Sequence, residues 1–195
     1  MKNTINKNKI VSIIPARGGS KRLIKKNIFP IWGKPMICHT LNAARNSFFL
    51  DNDNIFVSTE DNEIKKIVNN YGASIVNRPI ELAQDDIWTQ DVVNHFGDQL
   101  DLSKNDIIVI LQANSPQISP KIIDQCIEML INHDLWQVHT VGKDFINNGA
   151  IQIMRNFVKD HKGKVNYNGV VVTDWIDVHT IKDIRKLEKI KINDS

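Results

Sequence analysis

Ile10-Val11-Ser12-Ile13-Ile14-Pro15 is a nearly continuous apolar run, the pattern of a strand buried on both faces inside a parallel sheet. Ala16-Arg17-Gly18-Gly19-Ser20-Lys21 follows directly. Its adjacent glycines free the backbone to turn amides toward a ligand, and Arg17 and Lys21 add positive charge. From Arg17 to Lys34 there are six basic residues (Arg17, Lys21, Arg22, Lys25, Lys26, Lys34) and no acidic one. Folded against a site, such a stretch suits an anionic partner; left in solvent, it needs none. The spacing is neither the dinucleotide fingerprint nor the usual P-loop. On its residues alone the loop is a phosphate-binding candidate or a structural turn.

Outward from this stretch, strand-like and helix-like patterns alternate. Pro35 suits the first turn of a helix running to about Asn46. Ile55–Ser58 reads as a strand, Glu60–Tyr71 as an amphipathic helix closed by Gly72, and Ala73–Val76 as a strand. Trp88–Phe96 is helical in pattern, and Trp88, like Trp136, is expected in the core. Ile107-Ile108-Val109-Ile110-Leu111 is a central strand. Ser119 and Pro120 mark the N-cap and first residue of a helix through Ile131, which buries Cys126. Gln137–Val141, Ala150–Met154 and Val170–Val172 are strand-like, and Thr180–Lys189 is a helix with Asp183 placed for a capping box. The alternation predicts a layered α/β domain with a mostly parallel central sheet.

The chain of 195 residues is long enough to bury roughly 70% of its extended surface in one domain. It is read as a single domain over 1–195, with 1–9 as a flexible tail. With 42% hydrophobic and 24% charged residues and a net charge of +3, it is ordinary for a globular protein. No run is long enough to span a membrane, and residues 1–9 lack the apolar stretch of a signal peptide. Cys38 and Cys126 make neither a disulfide framework nor a metal cluster. A cytoplasmic location is expected. A nucleic-acid partner is not, because no zinc knuckle or helix-turn-helix pattern accompanies the basic stretch, and aromatics are not interleaved through it.

In an open parallel sheet, ligands bind beyond the carboxyl ends of the strands. Two further segments fall there. Gln112-Ala113-Asn114 leaves the central strand, and its amides can read a base edge or sugar hydroxyl, or simply form a turn. In Asp174-Trp175-Ile176-Asp177-Val178-His179, an extended backbone puts Asp177 and His179 on the face opposite Ile176 and Val178. A carboxylate there can hold Mg²⁺ against a nucleotide phosphate, or cap a helix.

Taken together, these segments resemble the acylneuraminate cytidylyltransferase family, the CMP-sialic acid synthetases and their relatives. The resemblance rests on Ile14-Pro15-Ala16-Arg17-Gly18-Gly19-Ser20-Lys21, Lys26-Asn27-Ile28, Gly33-Lys34-Pro35-Met36-Ile37 and Val57-Ser58-Thr59-Glu60-Asp61. It continues through Arg78-Pro79, Glu81-Leu82-Ala83, Asp85-Asp86, Leu111-Gln112, Ser115-Pro116, Asn148-Gly149-Ala150-Ile151 and Ile176-Asp177. It implies a three-layer, Rossmann-like nucleotide-diphospho-sugar transferase fold. It also implies an enzyme that transfers CMP from CTP to a sugar acid and releases pyrophosphate. Arg17, Lys21, Lys26 and Gln112 would then be catalytic. Ala16, Gly18, Gly19, Asn27, Arg78 and Asn114 would bind nucleotide, and Asp177 and His179 would hold Mg²⁺, with Mn²⁺ as an alternative.

Two departures accompany the resemblance. His179 replaces the family's second metal carboxylate, and imidazole suits transition metals better than Mg²⁺. Between Ser115-Pro116 and Asn148-Gly149-Ala150 the chain lacks most of the arm with which family members dimerise and close the sugar pocket, so a homodimer is left open. The alternatives are a nucleotidyltransferase for another sugar or nucleotide, and a degenerate homologue that binds nucleotide or a partner protein without turnover.

Overall fold

The structure, a computed structural model, describes residues 8–161, 163 and 166–190. The strands are β1 (Ile10–Pro15), β2 (Pro30–Ile31), β3 (Lys34–Pro35), β4 (Ile55–Thr59), β5 (Ser74–Asn77), β6 (Ile107–Leu111), β7 (Gln137–Val141), β8 (Asn147–Arg155) and β9 (Asn168–Val172). The helices are α1 (Met36–Arg45), α2 (Asn62–Asn70), α3 (Thr89–Gln99), α4 (Pro120–Asn132) and α5 (Ile181–Glu188). Seven strands form one sheet in the order β5-β4-β1-β6-β8-β7-β9, and β2 and β3 form a separate hairpin. In the large sheet β8 alone runs against its neighbours, antiparallel to both β6 and β7. The expected mostly parallel α/β architecture is what forms.

The apolar run that opens the chain explains the layering. On β1, Val11 and Ile13 face one side and pack with Ile108, Ile110 and the α3 residues Val92, Val93 and Phe96. Ile14 faces the other side, with Val57, Val109 and Leu111, under α1, α2 and α4. Both sides of the central strands are therefore dry, and a run without polar alternation is the sequence consequence. Phe96 is fully buried and meets Phe56 edge-on at 5.4 Å, so truncating it to alanine would cost on the order of 3–5 kcal/mol. A third cluster joins Leu23, Ile31 and Met36 to Val178, Ile184 and Leu187, docking α5 on the hairpin. The Trp32 indole N–H donates to the Leu187 carbonyl at 3.2 Å across that contact.

Local chemistry sets the helix ends. Asp61 caps α2 by accepting from the Glu63 and Ile64 amides, Ser119 caps α4 ahead of Pro120, and Thr180 and Asp183 form the expected capping box on α5. Gly72, at φ 67°, closes α2 in the left-handed conformation that glycine adopts freely.

Two expectations change. Residues 1–7 of the expected tail lie outside the described residues, while Lys9 is anchored: its amide donates to Asp106 Oδ1 at 2.8 Å and its carbonyl accepts from Ile107. Trp88 is not in the core but 78% exposed, because it flanks α3 on the N-terminal side, outside the helix's apolar stripe. As the short spacing in the sequence implies, β7 turns directly into β8 through Gly142–Ile146, exposing Phe145 and Ile146.

Candidate functional site

The carboxyl ends of β1, β5 and β6 and the segment before α5 bring four segments to one edge of the sheet, and they line a cavity of about 460 Å³. Pro15, Arg17, Ser20, Lys21, Lys26 and Asn27 line it from the loop after β1. Arg78 enters from the end of β5, Gln112 and Asn114 from the end of β6, and His179 from the segment before α5. The apolar side chains of Leu82, Ile87 and Val92 form its far end.

Each cation is held differently. Arg17 donates through Nη1 to the Ala83 carbonyl at 3.1 Å and through Nη2 to Asp85 Oδ1 at 2.5 Å. Lys21 Nζ lies 2.5 Å from Asp85 Oδ2. Burial pushes the Lys26 ammonium below its ordinary range; nearby Asp177 opposes this, while Arg17 and Arg22 add to it. Arg78 is 7% exposed and fixed by Nε donating to Ser58 Oγ at 3.1 Å and Nη2 donating to Ser58 O at 2.8 Å. Desolvation lowers it to about 10, with the Glu60 carboxylate raising it and Arg17 lowering it. Asn27 is buried and braces the loop by donating to the Arg17 carbonyl at 2.9 Å.

Opposite these cations is a polar chain. His179 Nε2 lies 2.6 Å from Asp177 Oδ2, and Asn114 Nδ2 donates to Asp177 Oδ1 and, at 3.0 Å, to the Val178 carbonyl. Val178 is fully buried, which turns its two neighbours toward the cavity side as the alternation predicts. Asp177 therefore reaches the cavity through its partners Asn114 and His179. Its two oxygens are both engaged, and Asn114 presents its N–H rather than its oxygen to the carboxylate. Asp174 lies apart, paired with Lys143.

Ala16, Gly18 and Gly19 do not line the cavity. The Ala16 amide donates to Ser58 O at 3.0 Å and the Gly18 amide to Glu60 Oε1 at 2.7 Å, so neither is free to face a ligand. Gly18 is required by space, since a Cβ there would sit 2.3 Å from Asp61 Oδ2. Trp32 packs edge-on against His39 and anchors α5, away from the cavity. Cys38 and Cys126 are buried among core residues. Asp85, Glu60 and Thr40 are residues whose part at this edge the motifs alone did not assign. Thr40 Oγ1 donates to the Gln112 carbonyl at 3.1 Å and steadies the turn after β6.

Among the described residues no group of three or more His, Cys, Asp or Glu side chains is arranged to hold a metal ion. The protein donors on offer are one carboxylate and one imidazole. That set fits an ion carried in on phosphate oxygens, which needs only one or two protein ligands, rather than an all-protein cage. No helix of the described residues is long and apolar enough to cross a membrane.

The N-acylneuraminate cytidylyltransferase of Streptococcus agalactiae is 39% identical over 127 residues, 65% of this chain and 30% of the relative. The 8-amino-3,8-dideoxy-manno-octulosonate cytidylyltransferase of Shewanella baltica is 34% identical over 143 residues, 73% of this chain and 56% of the relative. The chain thus spans between about a third and somewhat over half of the length of these curated relatives. A solved structure of CMP:2-keto-3-deoxy-manno-octonic acid synthetase complexed with CTP superposes with a TM-score of 0.73 at 18% identity, covering 93% of this chain and 97% of that one, and so shares the fold. The cytidylyltransferase family pattern matches residues 11–170, from the first strand through the sheet's last one, and the chain belongs to the cytidylyltransferase family.

Proposed function

We propose that the protein transfers CMP from CTP to a hydroxyl of a sugar acid, sialic-acid-like or octulosonate-like, and releases pyrophosphate. The observation that carries this is the convergence of Arg17, Lys21 and Lys26 on one side of a single cavity with Gln112, Asn114 and His179 on the other. Three cations converging on one cavity suit a polyphosphate.

In this reading the acceptor hydroxyl oxygen attacks the α-phosphorus and gives up its proton to solvent water, the bond between that phosphorus and the bridging oxygen breaks, and pyrophosphate leaves with the electron pair. Arg17, Lys21 and Lys26 bind the polyphosphate and stabilise charge that grows on the leaving group. Arg78 and Asn27 hold the walls of the nucleotide end, and Gln112 offers both a donor and an acceptor between nucleotide and sugar. Holding the two reactants in line supplies much of the remaining acceleration. A divalent cation, Mg²⁺ or Mn²⁺, when bound with the nucleotide, neutralises phosphate charge; Asp177 and His179 are the residues that would hold it.

The test is pyrophosphate release from CTP with Mg²⁺ or Mn²⁺ across a panel of sugar acids, with other nucleoside triphosphates in parallel. CTP-dependent release with at least one sugar acid is expected. Tight CTP binding with no release from any acceptor would instead identify a binding protein, and release only with another triphosphate would overturn the nucleotide assignment.

A further inference from the structure

Asp85 stands between the 3-10 turn Ile80–Ala83 and α3, and its carboxylate lies at the cavity wall. Its two oxygens are divided between two cations from the opposite loop, Oδ1 to Arg17 Nη2 and Oδ2 to Lys21 Nζ, each at 2.5 Å. The other arm of Arg17 is held by the Ala83 carbonyl at 3.1 Å, so one short segment holds both terminal nitrogens of the guanidinium. Two oxygens of one anion, each on a different cation, is also how a phosphate would be gripped at this place. The Lys21 and Arg17 contacts hold the Asp85 carboxyl below the usual range, so it is anionic throughout the neutral region. The Lys21 side chain is 84% exposed, and an ion pair so open to water is weak and exchangeable.

We propose that Asp85 is an internal anion seated in the phosphate subsite between Arg17 and Lys21, and that the polyphosphate end of a nucleotide must displace it to bind. This rests on the nucleotide reading above and goes beyond it by naming the subsite and its competitor. Apparent affinity is then the intrinsic affinity reduced by the fraction of molecules in which Asp85 has swung away. The same contact opposes rebinding of pyrophosphate once it has left.

The experiment is calorimetric titration of the full chain with CTP and with inorganic pyrophosphate, for the wild type, Asp85→Asn, Asp85→Glu, Lys21→Ala and the double variant Lys21→Ala with Asp85→Asn. Unchanged thermal melts for Asp85→Asn and Asp85→Glu establish that each is folded. Asp85→Asn should bind both ligands roughly 3- to 10-fold more tightly, the range expected for releasing two weak ion pairs. Asp85→Glu, which keeps the charge, should stay near wild type, and the gain from Asp85→Asn should shrink in the Lys21→Ala background. Unchanged or weaker binding by Asp85→Asn, while the wild type binds CTP, overturns the role of Asp85 alone. Absence of CTP and pyrophosphate binding in every protein overturns the nucleotide reading along with it.

Discussion

His179 Nε2 and Asp177 Oδ2 stand 2.6 Å apart at the cavity edge, an imidazole on the carboxylate that Asn114 also holds. Only Val178 separates the pair in sequence, and its burial sends the two side chains to the opposite face. An imidazole beside the carboxylate favours nitrogen-tolerant ions over Mg²⁺. His179→Asp should therefore raise the preference of the CTP complex for Mg²⁺ over Mn²⁺ by about 10-fold, the lower end of what ligand-shell changes do to metal affinity. Titrating each ion into the protein–CTP complex checks it. An unchanged ratio would mean that His179 does not meet the ion.

Arg78 is buried with its guanidinium spread over Ser58 Oγ and Ser58 O. Lysine cannot reproduce that fork. Arg78→Lys should destabilise the fold by about 2–4 kcal/mol, as for a buried charge left short of partners, read from urea unfolding. Ser58→Ala should cost about 1 kcal/mol, since the Ser58 carbonyl still accepts from Nη2.

Gly18→Ala tests a steric requirement. The new methyl would lie 2.3 Å from Asp61 Oδ2 and 2.8 Å from Asp61 Cβ, so the α2 cap has to yield. Loss of that cap costs about 1 kcal/mol, and the displaced backbone adds to it. A thermal midpoint lowered by several degrees is expected, with the far-ultraviolet spectrum retained. Gly19, with nothing near a built Cβ, should tolerate alanine.

Asp183 links pH to the last helix. Partial burial pulls its carboxyl upward, but the Thr180 hydroxyl and the His179 and Thr180 amides pull harder, and the net shift is down from 3.8. A depressed carboxyl pKa gives stability that is fully present above the unfolded value and lost as pH falls through the folded one. Asp183→Asn should thus lower stability by about 1 kcal/mol at pH 7, and the difference from wild type should close below about pH 4. A difference that persisted unchanged at pH 2.5 would contradict the assignment.

The element order was legible because most elements announce themselves locally. Ile107–Leu111 has no polar residue to place it elsewhere, and Ser119-Pro120 names its own helix start. Trp88 was misplaced because apolar character alone does not say on which side of a helix start a residue falls. Asp85 drew no role because its partners lie 68 and 64 positions earlier, a pairing that only the crossover from β1 to the β5 end creates. The adjacent glycines read as free to turn amides toward a ligand, yet the Glu60 carboxylate, 42 positions on, claims the Gly18 amide.

The docking of α5 on the β2–β3 hairpin, through Trp32 and the buried Val178, Ile184 and Leu187, has a bearing on biosynthesis. Strands β1, β4, β5 and β6 can assemble soon after Leu111 leaves the ribosome, whereas His179 arrives last and is steadied by that late-formed anchor. A nascent chain arrested after α4 would carry the basic loop, Gln112 and Asn114 but not Asp177 and His179, so completion of that wall waits for α5 to settle.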